Sequence, residues 1–299
     1  MTSPRKCPWL RPSLHRRNDA TVRLNKRDSL ATRKTLVLPA GEAVPFSSFQ
    51  FPTCHGEHFA HHWVVRWDLA DGETHLQETL PHPIVHICAE SGTGARRRSL
   101  RGAYVQGVVT RRFTRLIAGR GRVFGTKVLP GTLRAFSSAP LAALRDRVVP
   151  LADFIGKSPA RAFEAAAGNE REDDEACAQA VDEFWAERLA KPTEEVALVQ
   201  RIVATIDSDR DLQRVDDVVA RFGVSKRELQ RRFLDAVGLP PKLVIRRARL
   251  QDALLRLAGR EDLTTIAHDL GYADSAHFSR ELKATIGISP SRYRRGWES

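Results

Sequence analysis

The chain repeats itself in its last third. One copy runs Val219-x3-Gly223, then Leu229, Arg231, Phe233, Gly238 and Pro241. The other runs Ala267-x3-Gly271, then Phe278, Arg280, Leu282, Gly287 and Pro290. The copies are offset by 48 residues up to the turn glycine and by 49 from Leu229 and Phe278 onward, so the second turn carries one extra residue. Each copy reads as helix, tight turn, helix, Gly stop, Pro. Such a repeat selects two copies of one supersecondary unit, here a helix-turn-helix.

In the first unit residues 215–222 read as the support helix and Gly223-Val224 as the turn. Ser225 is placed to cap a second helix that starts at Lys226. Leu229 and Phe233 recur at i and i+4 and mark its buried stripe. Arg227, Gln230 and Arg231 then fall on other faces near the helix start, and Lys226 at that start is a further DNA-binding candidate. The N-terminal turns of a recognition helix reach base edges, where Arg pairs with guanine and Gln with adenine. In the second unit Thr264 is expected to cap the support helix, with Ile266, Ala267 and Leu270 packing inward. Gly271-Tyr272-Ala273 makes the turn, and Asp274 or Ser275 caps the next helix. Phe278 and Leu282 repeat the buried spacing. That leaves Ala276, His277, Ser279 and Arg280 as candidates for DNA contact, a less basic set than the first.

Between the units, residues 241–257 form an amphipathic pattern. Pro241 suits a first helical turn. Leu243, Ile245, Ala248, Leu250, Ala253, Leu254 and Leu257 supply an apolar face, and Arg246, Arg247 and Arg249 are expected on a basic one. Such a helix holds both units at a fixed separation. To enter successive major grooves on one side of B-DNA, the two recognition helices must lie about 34 Å apart.

Charge agrees with a polyanionic partner. The 299 residues carry a net charge of +12, which favours nucleic acid first and acidic membrane surfaces second. From Ser91 to Arg145 there are twelve Lys and Arg and no Asp or Glu; a solvated basic face, a pocket for an anion and an auxiliary DNA contact all fit that stretch. Cys7, Cys54, Cys88 and Cys177 form no CxxC pair and suggest neither a zinc finger nor a disulfide framework. They read as reduced thiols of a cytoplasmic protein. No apolar run approaches the roughly 18–20 residues of a membrane span, and no apolar stretch follows the basic start as in a secretory signal.

Ahead of the repeat the patterns change. Residues 1–35 lack periodicity and read as a flexible basic arm. Residues 36–150 are β-rich: 61–69, 84–88 and 104–109 read as strands, Asp71-Gly72 as a turn, and 113–117 with 123–128 as a hairpin around Gly119-Arg120-Gly121. Many short strands suggest a barrel or sandwich. Residues 160–190 turn helical, with Phe163, Val181, Phe184 and Leu189 as the apolar stripe, interrupted at Gly168-Asn169 and acidic over 170–175. Thr193 is placed to cap the next helix, with Glu194 and Glu195 favouring its dipole. The expected division is a flexible arm over 1–35, a β-rich sensor or dimerisation domain over 36–157, a helical linker over 158–192 and a DNA-binding domain over 193–299. The fold class is α+β, with a β-rich N-terminal domain and an all-α C-terminal domain holding two helix-turn-helix units.

Residues 199–297 closely resemble the DNA-binding domain of the AraC/XylS family of bacterial transcription regulators. The carrying stretches are Gly223-Val224-Ser225, Leu229-Gln230-Arg231-Arg232-Phe233 and Gly238-Leu239-Pro240-Pro241. They continue in Ile266-Ala267-x2-Leu270-Gly271-Tyr272-x-Asp274-x2-His277-Phe278-Ser279-Arg280 and end in Gly287-Ile288-Ser289-Pro290-Ser291-Arg292-Tyr293. The resemblance implies seven helices, two helix-turn-helix units joined by a long helix, and a first recognition helix that dominates base reading. It places contact positions at Arg227, Gln230 and Arg231, and at Ser275, Ala276, Ser279 and Arg280. Ala276 departs from the polar residue common there, and Leu282 replaces a common Phe. The N-terminal part is similar to a sensor-like domain attached to some members, through residues 62–67, Leu80-Pro81-His82-Pro83 and 120–125. That similarity implies a cupin-like β domain and an effector without naming a ligand.

The rival class is a metal-dependent cupin enzyme fused to the same domain. His55, His58, His61 and His62 cluster around Glu57, with His75, His82 and His86 downstream. The His-x-His then Glu arrangement usual in cupins is missing, and in a strand His58 and His62 share one face while His61 points away. No nucleophile elbow, phosphate-binding Gly loop or HExxH occurs. The expectation is therefore no catalysis, no metal and no cofactor. The expected partners are double-stranded promoter DNA, a small-molecule effector, RNA polymerase if the protein activates, and a second copy of the chain, with no membrane.

Overall fold

The computed structural model describes residues 46–79, 84–93, 102–110, 113–137, 140–169 and 171–295. The expected basic arm and the Leu80-Pro81-His82-Pro83 stretch lie outside them. Eight strands come first. They are β1 (Phe46–Phe51), β2 (Phe59–Asp68), β3 (Thr74–Thr79), β4 (Val85–Gly92), β5 (Ala103–Gln106), β6 (Phe113–Ala118), β7 (Arg120–Val128) and β8 (Val148–Pro150). Six form an antiparallel sheet in the order β1-β2-β7-β4-β5-β8, and β3 pairs with β6 in a small second sheet.

The expected hairpin around Gly119-Arg120-Gly121 does not form. β6 belongs to the small sheet, whereas β7 runs between β2 and β4 in the large one. The glycines serve a corner between sheets instead. Gly119 O accepts from Leu69 N at 3.1 Å. A Cβ on Gly121 would lie 2.1 Å from Cζ2 of the buried Trp67. Local sequence marks the turn but does not say which sheet the next strand joins.

Helices cover one face of the large sheet. α1 (Ala152–Ile155) leads into α2 (Lys157–Ala167) and α3 (Asp174–Ala186). Trp185 is fully buried, with ring centroids of Phe184, Phe59, Phe136 and Phe163 at 4.9, 5.3, 5.5 and 5.9 Å. Burying one such aromatic side chain contributes about 3 kcal/mol. Residues 158–192, expected as a linker, thus supply helices that share the sheet's core. On the opposite face Trp67, Cys88, Tyr104 and Val123 pack with Ile117 of β6.

The acidic stretch before α3 meets the basic one. Asp174 accepts from Arg122 Nε at 2.9 Å and from Arg66 Nη2 at 2.7 Å. Arg122 is buried and also donates through Nη1 to Ala167 O at 2.6 Å. Arg115 pairs with Glu90, and Arg120 with Asp68 at 2.7 Å. Among the described residues of the expected basic face, Arg115, Arg120, Arg122 and Arg134 form ion pairs.

The described histidines form no single cluster. Buried His62 bonds Thr126 Oγ1 and Asp182 Oδ1, each at 2.9 Å. His61 lies on the other face, opposite Lys127, which is opposite His86. His58 falls in a turn before β2, and a bulge separates Phe59 from His61, so strict alternation does not apply there. Among the described residues no three His, Cys, Asp or Glu are arranged to hold a metal ion. Cys88 and Cys177 are buried free thiols. Cys7 lies outside the described residues.

Seven helices follow: α4 (Glu194–Ser208), α5 (Val215–Phe222), α6 (Lys226–Ala236), α7 (Pro241–Ala258), α8 (Leu263–Asp269), α9 (Ser275–Ile286) and α10 (Pro290–Arg295). The main core runs without a break from the sheet through α4, α5 and α6 to Val244, Ile245 and Ala248 of α7. A separate core starts at Leu250, Ala253, Leu254 and Leu257 of the same helix and takes in Ile266, Phe278, Leu282 and Tyr293. α7 is thus shared by two cores. No helix among the described residues is long and apolar enough to cross a membrane.

Candidate nucleic-acid interface

α5 ends at Gly223, whose φ of 63° is left-handed and carries little steric cost without a Cβ. Val224 is buried below the turn. Ser225 Oγ then accepts from Glu228 N at 3.1 Å and starts α6. Leu229 and Phe233 are fully buried. Lys226, Arg227, Gln230 and Arg231 are all exposed. Lys226 Nζ lies 2.5 Å from Asp216 Oδ1 on α5. Ser225, Arg227, Glu228 and Arg231 line a shallow depression at the start of the helix.

The second unit follows the same plan with different details. Its support helix α8 is capped by Asp262, not by the expected Thr264. The Asp262 carboxylate accepts from Thr264 N and Thr265 N at 2.9 Å each, and those bonds hold its pKa below the usual value. Aspartate and threonine both cap well, so two candidates two residues apart do not separate on sequence. Gly271 turns the chain at φ 69°. Asp274 accepts from His277 N at 2.6 Å and caps α9. Phe278 and Leu282 are fully buried. Ala276, His277 and Arg280 are exposed, and Ser275 and Ser279 are half-buried. The His277 ring meets Tyr272 edge-on at 5.5 Å.

Of the three α7 arginines expected on a basic face, Arg247 is buried and Arg246 and Arg249 are half-buried. Arg246 donates through Nε to Glu281 Oε1 at 2.8 Å, and Tyr272 OH donates to the same oxygen at 2.9 Å. Burial and the Glu281 carboxylate push the Tyr272 hydroxyl up. Arg249 lies 4.6 Å over the Tyr272 ring. Arg247 is 5% exposed, and neither Nη1 nor Nη2 has a hydrogen-bond partner. Burial pushes its pKa down to about 10; Asp146 opposes that shift and Arg246 and Arg145 add to it. A run of arginines gives no hint that one of them faces a neighbouring module.

The N-terminal module meets α6 at its far end. Gly131 N donates to Ala236 O at 2.8 Å, and Arg134 Nε to Asp235 Oδ2 at 3.1 Å. Arg145 Nη2 donates to Gly238 O at 2.9 Å, just past the helix. At the near end Glu195, on the first turn of α4, accepts from Arg231 Nη2 at 3.1 Å. Sequence places Glu195 correctly after its Thr193 cap, which accepts from Val196 N at 3.3 Å. It does not reveal that the carboxylate reaches a helix further along the chain.

Two helix-turn-helix units in one repeat, joined by one helix and each exposing the start of its second helix, define a tandem helix-turn-helix domain. Residues 218–296 match the family described as a helix-turn-helix domain, and residues 57–150 match a domain of unknown function, DUF6597. The HTH-type transcriptional regulator MtrA of Neisseria gonorrhoeae is 32% identical over 99 residues, covering 33% of this chain and 32% of that protein. The HTH-type transcriptional activator RhaS of Pectobacterium carotovorum is 36% identical over 75 residues, covering 25% of this chain and 27% of that protein. Both matches span about a third or less of the relative's length. Among solved structures, ToxT from Vibrio cholerae aligns over 84% of this chain and 98% of its own, with a TM-score of 0.41 and 14% identity. The C-terminal module is thus similar to a helix-turn-helix family over residues 218–296, and the part before it to a domain of unknown function over residues 57–150.

Proposed function

We propose that the chain is a sequence-specific transcription regulator that binds promoter DNA through α6 and α9. One observation carries this reading: the same unit occurs twice about a shared helix, and the first copy exposes Lys226, Arg227, Gln230 and Arg231 at its helix start. These side chains suit direct reading of guanine and adenine in the major groove. Ser275, Ala276, His277, Ser279 and Arg280 are assigned to the second contact. Their smaller charge makes α9 a source of affinity and register rather than of most base reading. The names of MtrA and RhaS support the regulatory role.

Residues 193–299 are assigned to DNA and the β-rich module to a small-molecule effector or to homodimerisation. The working link is a ligand-dependent change in how the module holds α6. That requires different ligand affinities for two states of the chain. RNA polymerase is the further partner if the protein activates. The protein acts in the cytoplasm, and no catalytic step is assigned to it.

Selection from a pool of random duplexes tests the reading. An enriched motif with two elements about one helical turn apart is expected. Recovery of unbiased sequence, with binding lost steeply as salt rises, would leave a non-specific architectural binder in its place.

A further inference from the structure

Glu195 stands outside both helix-turn-helix units yet touches a side chain assigned to base reading. Its Oε1 accepts from Arg231 Nη2 at 3.1 Å and lies 3.6 Å from Arg232 Nε. Arg232 is 16% exposed and is already held by Glu228 Oε1 at 2.5 Å, one helical turn back. Arg231 is 65% exposed, so of the two it is the one that can meet a ligand. The bond to Glu195 uses one hydrogen of Nη2 and leaves the other donors of the guanidinium fork for a base edge.

The helix that carries this carboxylate is anchored. Thr193 caps α4, and Val199, Ile202, Val203 and Ile206 are buried in the main core. Gln200 Nε2 donates to Glu57 O at 3.0 Å and Pro130 O at 3.1 Å, tying α4 to the β-rich module. A flexible arginine beside DNA contacts phosphates as readily as bases. One paired with a carboxylate on an anchored helix has fewer orientations, and the carboxylate repels nearby phosphates. Both effects oppose non-specific contact.

We propose that Glu195 is a positioning residue for Arg231, directing its guanidinium to a base and away from the backbone. The proposal rests on the DNA-reading role of Arg231. The test measures the affinity of the full-length protein for a selected duplex and for a scrambled one. In Glu195→Gln non-specific affinity should rise about two- to fivefold and the specific-to-non-specific ratio fall by a similar factor, the range of an exposed ion pair. Glu195→Asp keeps the charge but shortens the reach, so the ratio should fall while non-specific affinity stays near that of the parent. A Glu195→Gln ratio equal to the parent's, with both affinities raised, would make Glu195 a mere competitor for Arg231 and overturn the proposal. Loss of both affinities together with a lower melting temperature would make it a packing residue and overturn it as well. If the parent itself selects no motif, the DNA reading fails first.

Discussion

Arg134 donates through Nε to Asp235 Oδ2 at 3.1 Å and so joins the β-rich module to the last turn of the helix that begins with Lys226 and Arg227. Gly131 N on Ala236 O and Arg145 on Gly238 O lie beside it. The module therefore grips one end of the first recognition helix while the other end is exposed. A change inside the module need not travel far to alter how that helix is presented.

The Arg134–Asp235 pair is 28% and 37% exposed, so its coupling should be small. A double-mutant cycle with Arg134→Ala and Asp235→Ala, read by denaturant unfolding, should give about 0.2–1 kcal/mol. Zero coupling would remove the pair from the interface's energetics and leave the backbone bonds to carry it.

Asp182 gives the folded protein a specific acid weakness. Burial alone would raise its pKa, but bonds from His62 Nε2 at 2.9 Å, Thr53 Oγ1 at 2.6 Å and Cys54 N at 2.8 Å hold it below the usual carboxylate range. A lowered folded pKa stabilises above the unfolded value, near pH 4, and the gain is lost as pH falls through the folded one. Asp182→Ala should cost about 1–3 kcal/mol at neutral pH and flatten the acid limb of the stability curve. An unchanged acid limb in thermal melts would contradict this.

Arg247 is a buried cation whose two terminal nitrogens make no hydrogen bond. Replacing a poorly compensated buried charge by an apolar side chain of similar length is neutral or stabilising. Arg247→Met should therefore raise stability, by up to about 1–4 kcal/mol. A lower melting temperature would mean that Asp146 compensates Arg247 better than its hydrogen bonding indicates.

Gly271 turns the chain at φ 69°, and a Cβ there would lie 2.3 Å from Gln213 Oε1, the movable end of a side chain. The backbone conformation, more than the contact, forbids a larger residue. Gly271→Val should cost the second unit at least about 1–2 kcal/mol. Unchanged thermal stability would refute the turn's dependence on glycine.

What could be read from sequence was local. Ser225, Thr193 and Asp274 cap where they were expected because a cap needs only its own next turn. The Leu229/Phe233 and Phe278/Leu282 stripes are buried because helical spacing fixes a face. What failed depended on distant parts of the chain. β6 and β7 follow one another but join different sheets. Arg247 reads as surface until the β-rich module covers it, and Glu195 reads as a dipole partner until α6 packs beside it. The acidic 170–175 stretch and the basic stretch before it look like separate faces, yet they meet where Arg122 donates to Asp174, which also accepts from Arg66 of β2.

The central claim is that the first copy of the repeat reads bases. The most direct measurement compares the parent and Arg231→Ala for affinity on a selected site and on single-base variants of it, at fixed salt. The predicted result is a loss of about 1–3 kcal/mol on the selected site, with discrimination relaxed at one base pair and retained elsewhere. Equal weakening on every sequence, with a shallower salt dependence, would make Arg231 a phosphate contact and contradict the account.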